Sequence, residues 1–257
     1  MTLLNRFSLA GKVGVVTGGG RGIGEGIAYG LAEAGADVVL VARRTEEIQQ
    51  VANNIRKMGR KALAITADIT VYSRMQEIVA EVIEEMGRLD CWVSNAGGGD
   101  GVQRSLMELP EEQWDVQLDL NLKAVWSGAQ AASKAMKEHG GGTIVNISSI
   151  VSHRPSPMNG PYAIAKTGVE NLTQTLAAEL GEFGIRVNGV APGPIPTDVF
   201  LKFFELEEKD LPELVKTMAI PLGRIGHVQD IAPAVVYLAS DASSWMTGQT
   251  ISITGGL

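Results

Sequence analysis

The stretch Val13-Gly14-Val15-Val16-Thr17-Gly18-Gly19-Gly20-Arg21-Gly22-Ile23-Gly24, followed by a helical pattern from Glu25 to Ala34, decides the fold. A short β-branched run, a cluster of glycines and an amphipathic segment read as a strand, a tight turn and a crossover helix. Gly18, Gly22 and Gly24 let the backbone turn sharply and come close to a pyrophosphate, whose charge the N-terminal amides of the helix would meet. The spacing is Gly-x-x-x-Gly-x-Gly, not the common Gly-x-Gly-x-x-Gly, and no Gly-Lys-Ser/Thr follows, so it is not a P-loop. A purely structural glycine turn is the alternative, which the strand before and the helix after disfavour.

Working outward, β-branched runs recur at Asp37–Val41, Ala62–Thr66, Cys91–Ser94, Thr143–Ile147, Ile185–Val190 and Thr250–Ile253, with helix-like stretches between them. That alternation predicts one α/β domain over residues 1–257: a Rossmann-like, doubly wound, mainly parallel seven-stranded sheet with helices on both faces. At 257 residues and 45% hydrophobic, the chain can bury a core of that size. In such sheets ligands bind beyond the carboxyl ends of the strands, so the residues following each strand are the informative ones.

After the second strand the chain reads Val41-Ala42-Arg43-Arg44. The acid that would accept hydrogen bonds from an unphosphorylated ribose is absent, and Asp37 lies at the wrong end of the strand. Arg43, with Arg21 from the glycine turn, is placed to clamp a 2′-phosphate, which predicts a preference for NADP(H) over NAD(H). The third strand ends at Asp68-Ile69, a carboxylate for an adenine amino group and an aliphatic cover for the ring. The fourth ends in Ser94-Asn95-Ala96-Gly97-Gly98-Gly99, the fifth in Asn146-Ile147-Ser148-Ser149 and the sixth in Pro192-Gly193-Pro194-Ile195-Pro196-Thr197.

The net charge of −7 argues against a nucleic-acid or anionic-membrane surface. His139, His153 and His227 show no metal-ligand spacing, and no metal is expected. Cys91 sits in an apolar run and reads as an inert core thiol. Met1 to Lys12 lack the apolar core of a signal peptide, no apolar run is long enough for a bilayer, and a cytoplasmic location is expected.

Tyr162 and Lys166 are four residues apart in a helix-like segment, one turn apart on one face. A tyrosine is a poor proton-transfer group at its ordinary pKa of about 10, and a nearby cation is expected to pull it down.

This set of residues resembles the short-chain dehydrogenase/reductase family along nearly the whole chain. The resemblance rests on Thr17 to Gly24, Asn95-Ala96-Gly97, Asn121, Ser149, Tyr162-Ala163-Ile164-Ala165-Lys166, Asn188 and Pro192-Gly193. It implies a catalytic tetrad of Asn121, Ser149, Tyr162 and Lys166. Tyr162 would exchange a proton with the substrate oxygen and Ser149, not Ser148, would polarise that oxygen. Lys166 would lower the Tyr162 pKa and hold the nicotinamide ribose, and Asn121 would support a proton-relaying water chain. Implied cofactor contacts are Gly18, Arg21, Gly22, Ile23, Gly24, Arg43, Arg44, Asp68, Ile69, Asn95, Ala96, Gly97, Tyr162, Lys166, Pro192, Gly193, Ile195 and Thr197. Two departures stand out: Ser94 where the family commonly has Asn, and Thr254-Gly255-Gly256 where it commonly has Asp-Gly-Gly.

The resemblance further implies a homotetramer packed through helices around Glu111–Lys137 and Tyr162–Gly181, acting on a small-molecule alcohol or ketone. Residues 98–104, 150–161 and 194–222 are expected to form the substrate cleft, the last as a lid carrying Phe200, Leu201, Phe203 and Phe204 or, equally, as packed helix. His153 and Arg154 either meet a polar or anionic group or lie in a solvated loop. A moderately bulky apolar substrate, hydroxysteroid-like or aryl, is the leading expectation. The alternatives are a 3-oxoacyl thioester reductase, or a nucleotide-binding sensor or scaffold without catalysis.

Overall fold

The computed structural model describes residues 2–99 and 103–257. Among them the chain forms β1 (Val13–Thr17), α1 (Gly22–Glu33), β2 (Asp37–Ala42), α2 (Thr45–Lys57), β3 (Ala62–Thr66), α3 (Tyr72–Met86) and β4 (Cys91–Ser94). There follow α4 (Glu111–Leu118), a π turn (Asp119–Lys123), α5 (Ala124–Glu138), β5 (Gly142–Ile147) and α6 (Gly160–Leu180). The chain ends with β6 (Ile185–Pro192), α7 (Asp198–Phe204), α8 (Leu211–Thr217), α9 (Val228–Ala239) and β7 (Thr250–Ile253).

The strands make one sheet in the order β3-β2-β1-β4-β5-β6-β7. Every pairing is parallel: Val15 lies opposite Val39 on one side and Trp92 on the other. The order reverses between β1 and β4, which opens a crevice at their carboxyl ends. Because side chains alternate along a strand, each face has its own core. Val15, Val39, Ile65, Trp92 and Val187 pack with α3, α5 and α6, while Val16, Leu40, Val93 and Val190 pack with α1, α2 and α9. Fully buried side chains such as Ile27, Leu31 and Ile48 stabilise the fold by roughly 1.5–3 kcal/mol each.

Several boundaries differ from the sequence reading, the smallest being β5, which starts at Gly142 and not at Thr143. Helix α1 starts at Gly22, three residues before the periodic pattern, so the last two motif glycines belong to its first turn. Strand β2 runs on to Ala42, and β6 runs on to Pro192, opposite Ile253 of β7. Proline is tolerated there because the ladder bond comes from the next residue, the Gly193 N–H donating to the Ile253 carbonyl at 2.8 Å. The departure at Ser94 has a local explanation: its Oγ accepts the indole N–H of buried Trp92 at 3.1 Å. The indole in turn lies against Gly128 of α5, where an added Cβ would sit 2.9 Å from Cζ2 and 3.0 Å from Nε1.

This contact yields a packing test. Gly128→Ala is expected to destabilise the protein by about 1–3 kcal/mol through overpacking of Trp92. Gly181→Ala, where nothing lies within 4 Å of the added Cβ, is expected to change stability by less than about 1 kcal/mol. Urea unfolding of the two variants checks the difference.

Candidate active site

The glycine turn is held open by a clamp between the ends of β1 and β4. The Thr17 hydroxyl accepts the backbone N–H groups of Asn95 at 3.0 Å and Ala96 at 3.1 Å. The Asn95 side-chain amide donates to the Thr17 carbonyl at 2.9 Å. Gly18 and Gly22 take φ of 68° and 55°, in the left-handed region that favours glycine. A Cβ on Gly24 would lie 2.2 Å from the Gly18 carbonyl oxygen and 2.4 Å from Asn95 Nδ2, so only glycine lets α1 begin this close to the turn. No side chain caps α1, which leaves its first-turn amides directed at the crevice. An uncapped helix start beside a turn too tight for any side chain fits a dinucleotide pyrophosphate.

A cleft of about 570 Å³ runs along this edge of the sheet. Every cofactor-side residue singled out from the sequence lines it, from Gly18 to Thr197, and so do Ser149, Tyr162 and Lys166. Asn121 does not line it: it lies fully buried behind the wall. Its amide donates to the carbonyls of Gly98 at 3.1 Å and Gln117 at 3.0 Å, while its Oδ1 accepts the Gly98 N–H at 2.8 Å. It sits in the π turn between α4 and α5, a widened turn of the sort that recurs at functional sites. An added Cβ on Gly97 would approach both Asn121 Oδ1, at 2.7 Å, and Lys166 Nζ, at 3.3 Å, so the two side chains flank one glycine.

The proton-transfer pair differs from the sequence expectation in one respect. Lys166 is 3% exposed and donates to the Ile147 carbonyl at 2.8 Å, with Nζ 5.6 Å from the Tyr162 ring centroid. Burial pulls the Lys166 ammonium down to about 8. The Tyr162 phenol is raised, by burial first, with its hydrogen bond to Ser149 acting the other way. The expected lowering by the lysine is therefore not what the polypeptide alone produces: desolvation outweighs a cation that is itself desolvated and directed at a carbonyl. Cys91 conforms to expectation: buried, with its thiol pushed up to about 11.

Ser148 and Ser149 both reach the cleft lining but bond to different partners. Ser148 Oγ is buried, 3.1 Å from the Lys166 carbonyl and 3.0 Å from Glu170 Oε1. Ser149 lines the cleft, bonds to Tyr162 and also accepts the Val151 N–H at 3.4 Å. The residue that sequence reasoning missed is Glu170, one turn beyond Lys166 and two beyond Tyr162. Its carboxylate also lies 2.5 Å from Ser152 Oγ and 3.0 Å from His153 Nε2, which must carry the proton to donate. Glu170 thus fastens the turn that carries Ser149 to the helix that carries Tyr162. The repeat Tyr162, Lys166, Glu170 at four-residue steps was the available signal. His153 is taken up by this contact, whereas Arg154 lines the cleft.

At the adenosine end, Glu47 was also missed. It pairs with Arg44 at 2.6 Å and lies 3.9 Å from Arg21, which pairs with Asp198 at 3.2 Å. Arg43 makes no ion pair or hydrogen bond with another side chain among the described residues. Asp68 is held low, first by the N–H and hydroxyl of Thr70 and less by the charge of Arg43. Both Thr70 groups bond its Oδ1. On the other wall Phe200, Phe203 and Phe204 line the cleft, with ring centroids 4.8 and 4.9 Å apart, and Leu201 does not. Asp100 to Val102 of the expected 98–104 wall lie outside the described residues. Asn188, a motif residue, braces β6 instead, donating to the Met246 carbonyl and accepting the Gln249 N–H. No group of metal-binding side chains occurs among the described residues, and no helix there is long and apolar enough to cross a membrane.

Comparison with known proteins agrees with this geometry. A family model described as enoyl-(acyl carrier protein) reductase matches residues 18–257. The 3-oxoacyl-(acyl-carrier-protein) reductase FabG of Staphylococcus aureus is 38% identical over 249 residues, covering 96% of this chain and 98% of that one. The structure of a 7α-hydroxysteroid dehydrogenase complexed with NADH and 7-oxo glycochenodeoxycholic acid superposes with a TM-score of 0.91 at 33% identity, covering 100% and 98% of the two chains. A gluconate 5-dehydrogenase from Burkholderia cenocepacia, in complex with NADP and tartrate, gives 0.92 at 34%, covering 100% and 98%.

Two measurements probe the site without a substrate. Glu170→Ala should cost about 1–3 kcal/mol in urea unfolding, and a double-mutant cycle with Ser152→Ala should show coupling above about 0.5 kcal/mol. Lys166, with a native pKa near 8 and an unfolded one near 10.5, binds fewer protons folded than unfolded between those values. Its contribution to stability therefore rises with pH across that window. The stability of wild type relative to Lys166→Met should increase from about pH 8 to pH 10; a flat difference would contradict the burial of a charged lysine.

Proposed function

The chain belongs to the short-chain dehydrogenase/reductase family and is an oxidoreductase, and from that premise we propose that it interconverts a secondary alcohol and a ketone with NADP(H). The observation that carries the reading is the meeting of Ser149, Tyr162 and Lys166 on the cleft that also holds the glycine turn. When bound, the cofactor supplies a hydride, so that ketone, NADPH and one proton give the alcohol and NADP⁺.

The chain's own residues do the rest. The glycine turn and the α1 amides hold the pyrophosphate, Asp68 and Ile69 the adenine, and Asn95 to Gly97 with Pro192 to Thr197 the nicotinamide half. Tyr162 gives its phenolic proton to the carbonyl oxygen during reduction and takes it back during oxidation; a raised pKa keeps that proton in place at neutral pH. Ser149 donates to the same oxygen and stabilises the charge that develops on it. Lys166, drawn between the Ile147 carbonyl and the ribose, biases the phenol toward ionisation when alcohol is oxidised. Asn121 fixes the Gly98 backbone and the Lys166 surroundings through which a proton is passed on.

For the cofactor, Arg43 at the end of β2 supports NADPH, since no carboxylate stands there and Glu47 engages Arg44. Relatives of similar distance carry NADH or NADP, so the choice rests on this chain's arginine. The aromatic wall of α7 supports a moderately bulky apolar substrate, with residues 194–222 as the lid. The alternative, a 3-oxoacyl thioester reductase, draws on the 38% identity to the Staphylococcus aureus enzyme. A homotetramer draws support from the groove that Leu118 of α4, Leu122 of the π turn, Trp126 of α5 and Leu172 of α6 line, as a face for a second copy, and the location we propose is cytoplasmic.

Initial rates test these points. Tyr162→Phe should lower kcat at least 100-fold while NADPH binding, followed by fluorescence, stays within about threefold; near-normal turnover would overturn the mechanism. Wild type should favour NADPH over NADH in kcat/KM by at least tenfold, and Arg43→Ala should erase most of that ratio. Efficient reduction of acetoacetyl thioesters, with no turnover of aryl ketones, would move the assignment to the thioester reductase.

A further inference from the structure

Around Tyr162 the cleft is lined by Ser149, Val151, Asn159 and Met218, with the α7 aromatics, and among the described residues two cations join that lining: Lys166, which donates to the Ile147 carbonyl, and Arg154. The surroundings make this notable. The chain carries an excess of seven negative charges, and half of its twelve arginines, Arg21, Arg44, Arg60, Arg74, Arg88 and Arg224, pair with a carboxylate. The acids on the cleft lining are engaged as well, Asp198 by Arg21, Glu47 by Arg44 and Asp68 by Thr70. Arg154 has no hydrogen-bonding or ionic partner among the described residues.

Its backbone is set for the task. Arg154 precedes Pro155, and the segment reads Arg154-Pro155-Ser156-Pro157. A residue before proline is restricted to extended conformations, and Arg154 has φ −152° and ψ 156°. At the near end the 3₁₀ turn from Ile150 to His153 is fastened through Ser152 and His153 to Glu170. At the far end the Met158 carbonyl accepts the Arg104 N–H at 2.9 Å. The guanidinium therefore extends from a loop stiffened at both sides, about 10 Å of chain rise from Ser149 at roughly 2 Å per residue. An exposed cation with no counter-charge among the described residues, on the lining of a cleft that also carries an aromatic wall, is a recognition element for an amphipathic anion.

We propose that Arg154 is a specificity-determining residue: the substrate is a keto acid or hydroxy acid whose carbonyl or carbinol meets Tyr162, whose apolar body lies on Phe200 and Phe203, and whose carboxylate is received by Arg154. A carboxylate fits better than a phosphate dianion. One guanidinium offers one fork of two N–H donors, and the other cation beside Tyr162, Lys166, is turned to the Ile147 carbonyl instead of being free to balance a second charge. This rests on the reductase reading given above and names its substrate class.

The test uses full-length enzyme with NADPH and a series of ω-aryl-ω-oxo acids, two to five methylenes between ketone and carboxylate, each beside its methyl ester. Wild type should prefer the acid to its ester in kcat/KM by at least tenfold at the best spacing. Arg154→Gln should lower kcat/KM for that acid by about 10- to 100-fold, mainly through KM, and change the ester by less than threefold. Arg154→Lys should recover part of the loss. Equal use of acids and esters by wild type, or an equal loss on both in Arg154→Gln, would overturn the carboxylate site while leaving the reductase reading standing. Failure of wild type to reduce any member of either series would also overturn this inference; the reductase reading falls with it only if acetoacetyl thioesters and non-acidic ketones are not reduced either.

Discussion

One hydroxyl holds the site together. Thr17 ends β1, and its Oγ receives the backbone of Asn95 and Ala96 where β4 ends, while Asn95 returns a hydrogen bond to the Thr17 carbonyl. These contacts join two strands at the point where strand order reverses, the place in a parallel sheet where helices diverge to opposite faces. Without the clamp the crevice would have no fixed floor. With it, the glycine turn is held against Asn95 so closely that α1 starts within van der Waals distance of Gly18. The first-turn amides of the helix then point where a pyrophosphate would lie.

A second fastening governs the chemistry. Tyr162 and Lys166 ride on α6, and Ser149 follows the end of β5; Lys166 ties the helix to the Ile147 carbonyl, but the turn beyond Ser149 needs a further fastening. Glu170 supplies it, by taking hydroxyl contacts from Ser148 and Ser152 and the ring N–H of His153. The result is a phenol bonded to Ser149 in a place dry enough to raise it, with a lysine dry enough to fall to about 8. Such opposed shifts keep a proton on the tyrosine and leave the lysine responsive to whatever charge enters the cleft.

The strands and the glycine turn were legible because parallel strands buried on both faces are written as unbroken β-branched runs. The start of α1 was not, since glycines conceal a helix that begins in its own binding loop. The direction of the Tyr162 shift was hidden for a different reason. Spacing reveals that a cation is one turn away, but not that burial weakens the cation as well and turns it toward the Ile147 carbonyl. Asn121 was legible as a motif residue, though its place behind the cleft wall depends on a π turn that no periodicity announces. Glu47 escaped notice because its meaning, engaging Arg44 and crowding Arg21, exists only once α2 brings its first turn beside the glycine loop.

We propose that this edge of the sheet is a dinucleotide site built on a turn too tight for any side chain. Calorimetric titration of NADPH into wild type and Gly24→Ala, with circular dichroism to establish that both are folded, tests it directly. Wild type should bind one NADPH per chain with micromolar affinity, and Gly24→Ala, whose Cβ would fall 2.2 Å from the Gly18 oxygen, should bind at least 100-fold more weakly. Equal affinity in the two folded proteins, or no binding of either dinucleotide to wild type, would contradict it.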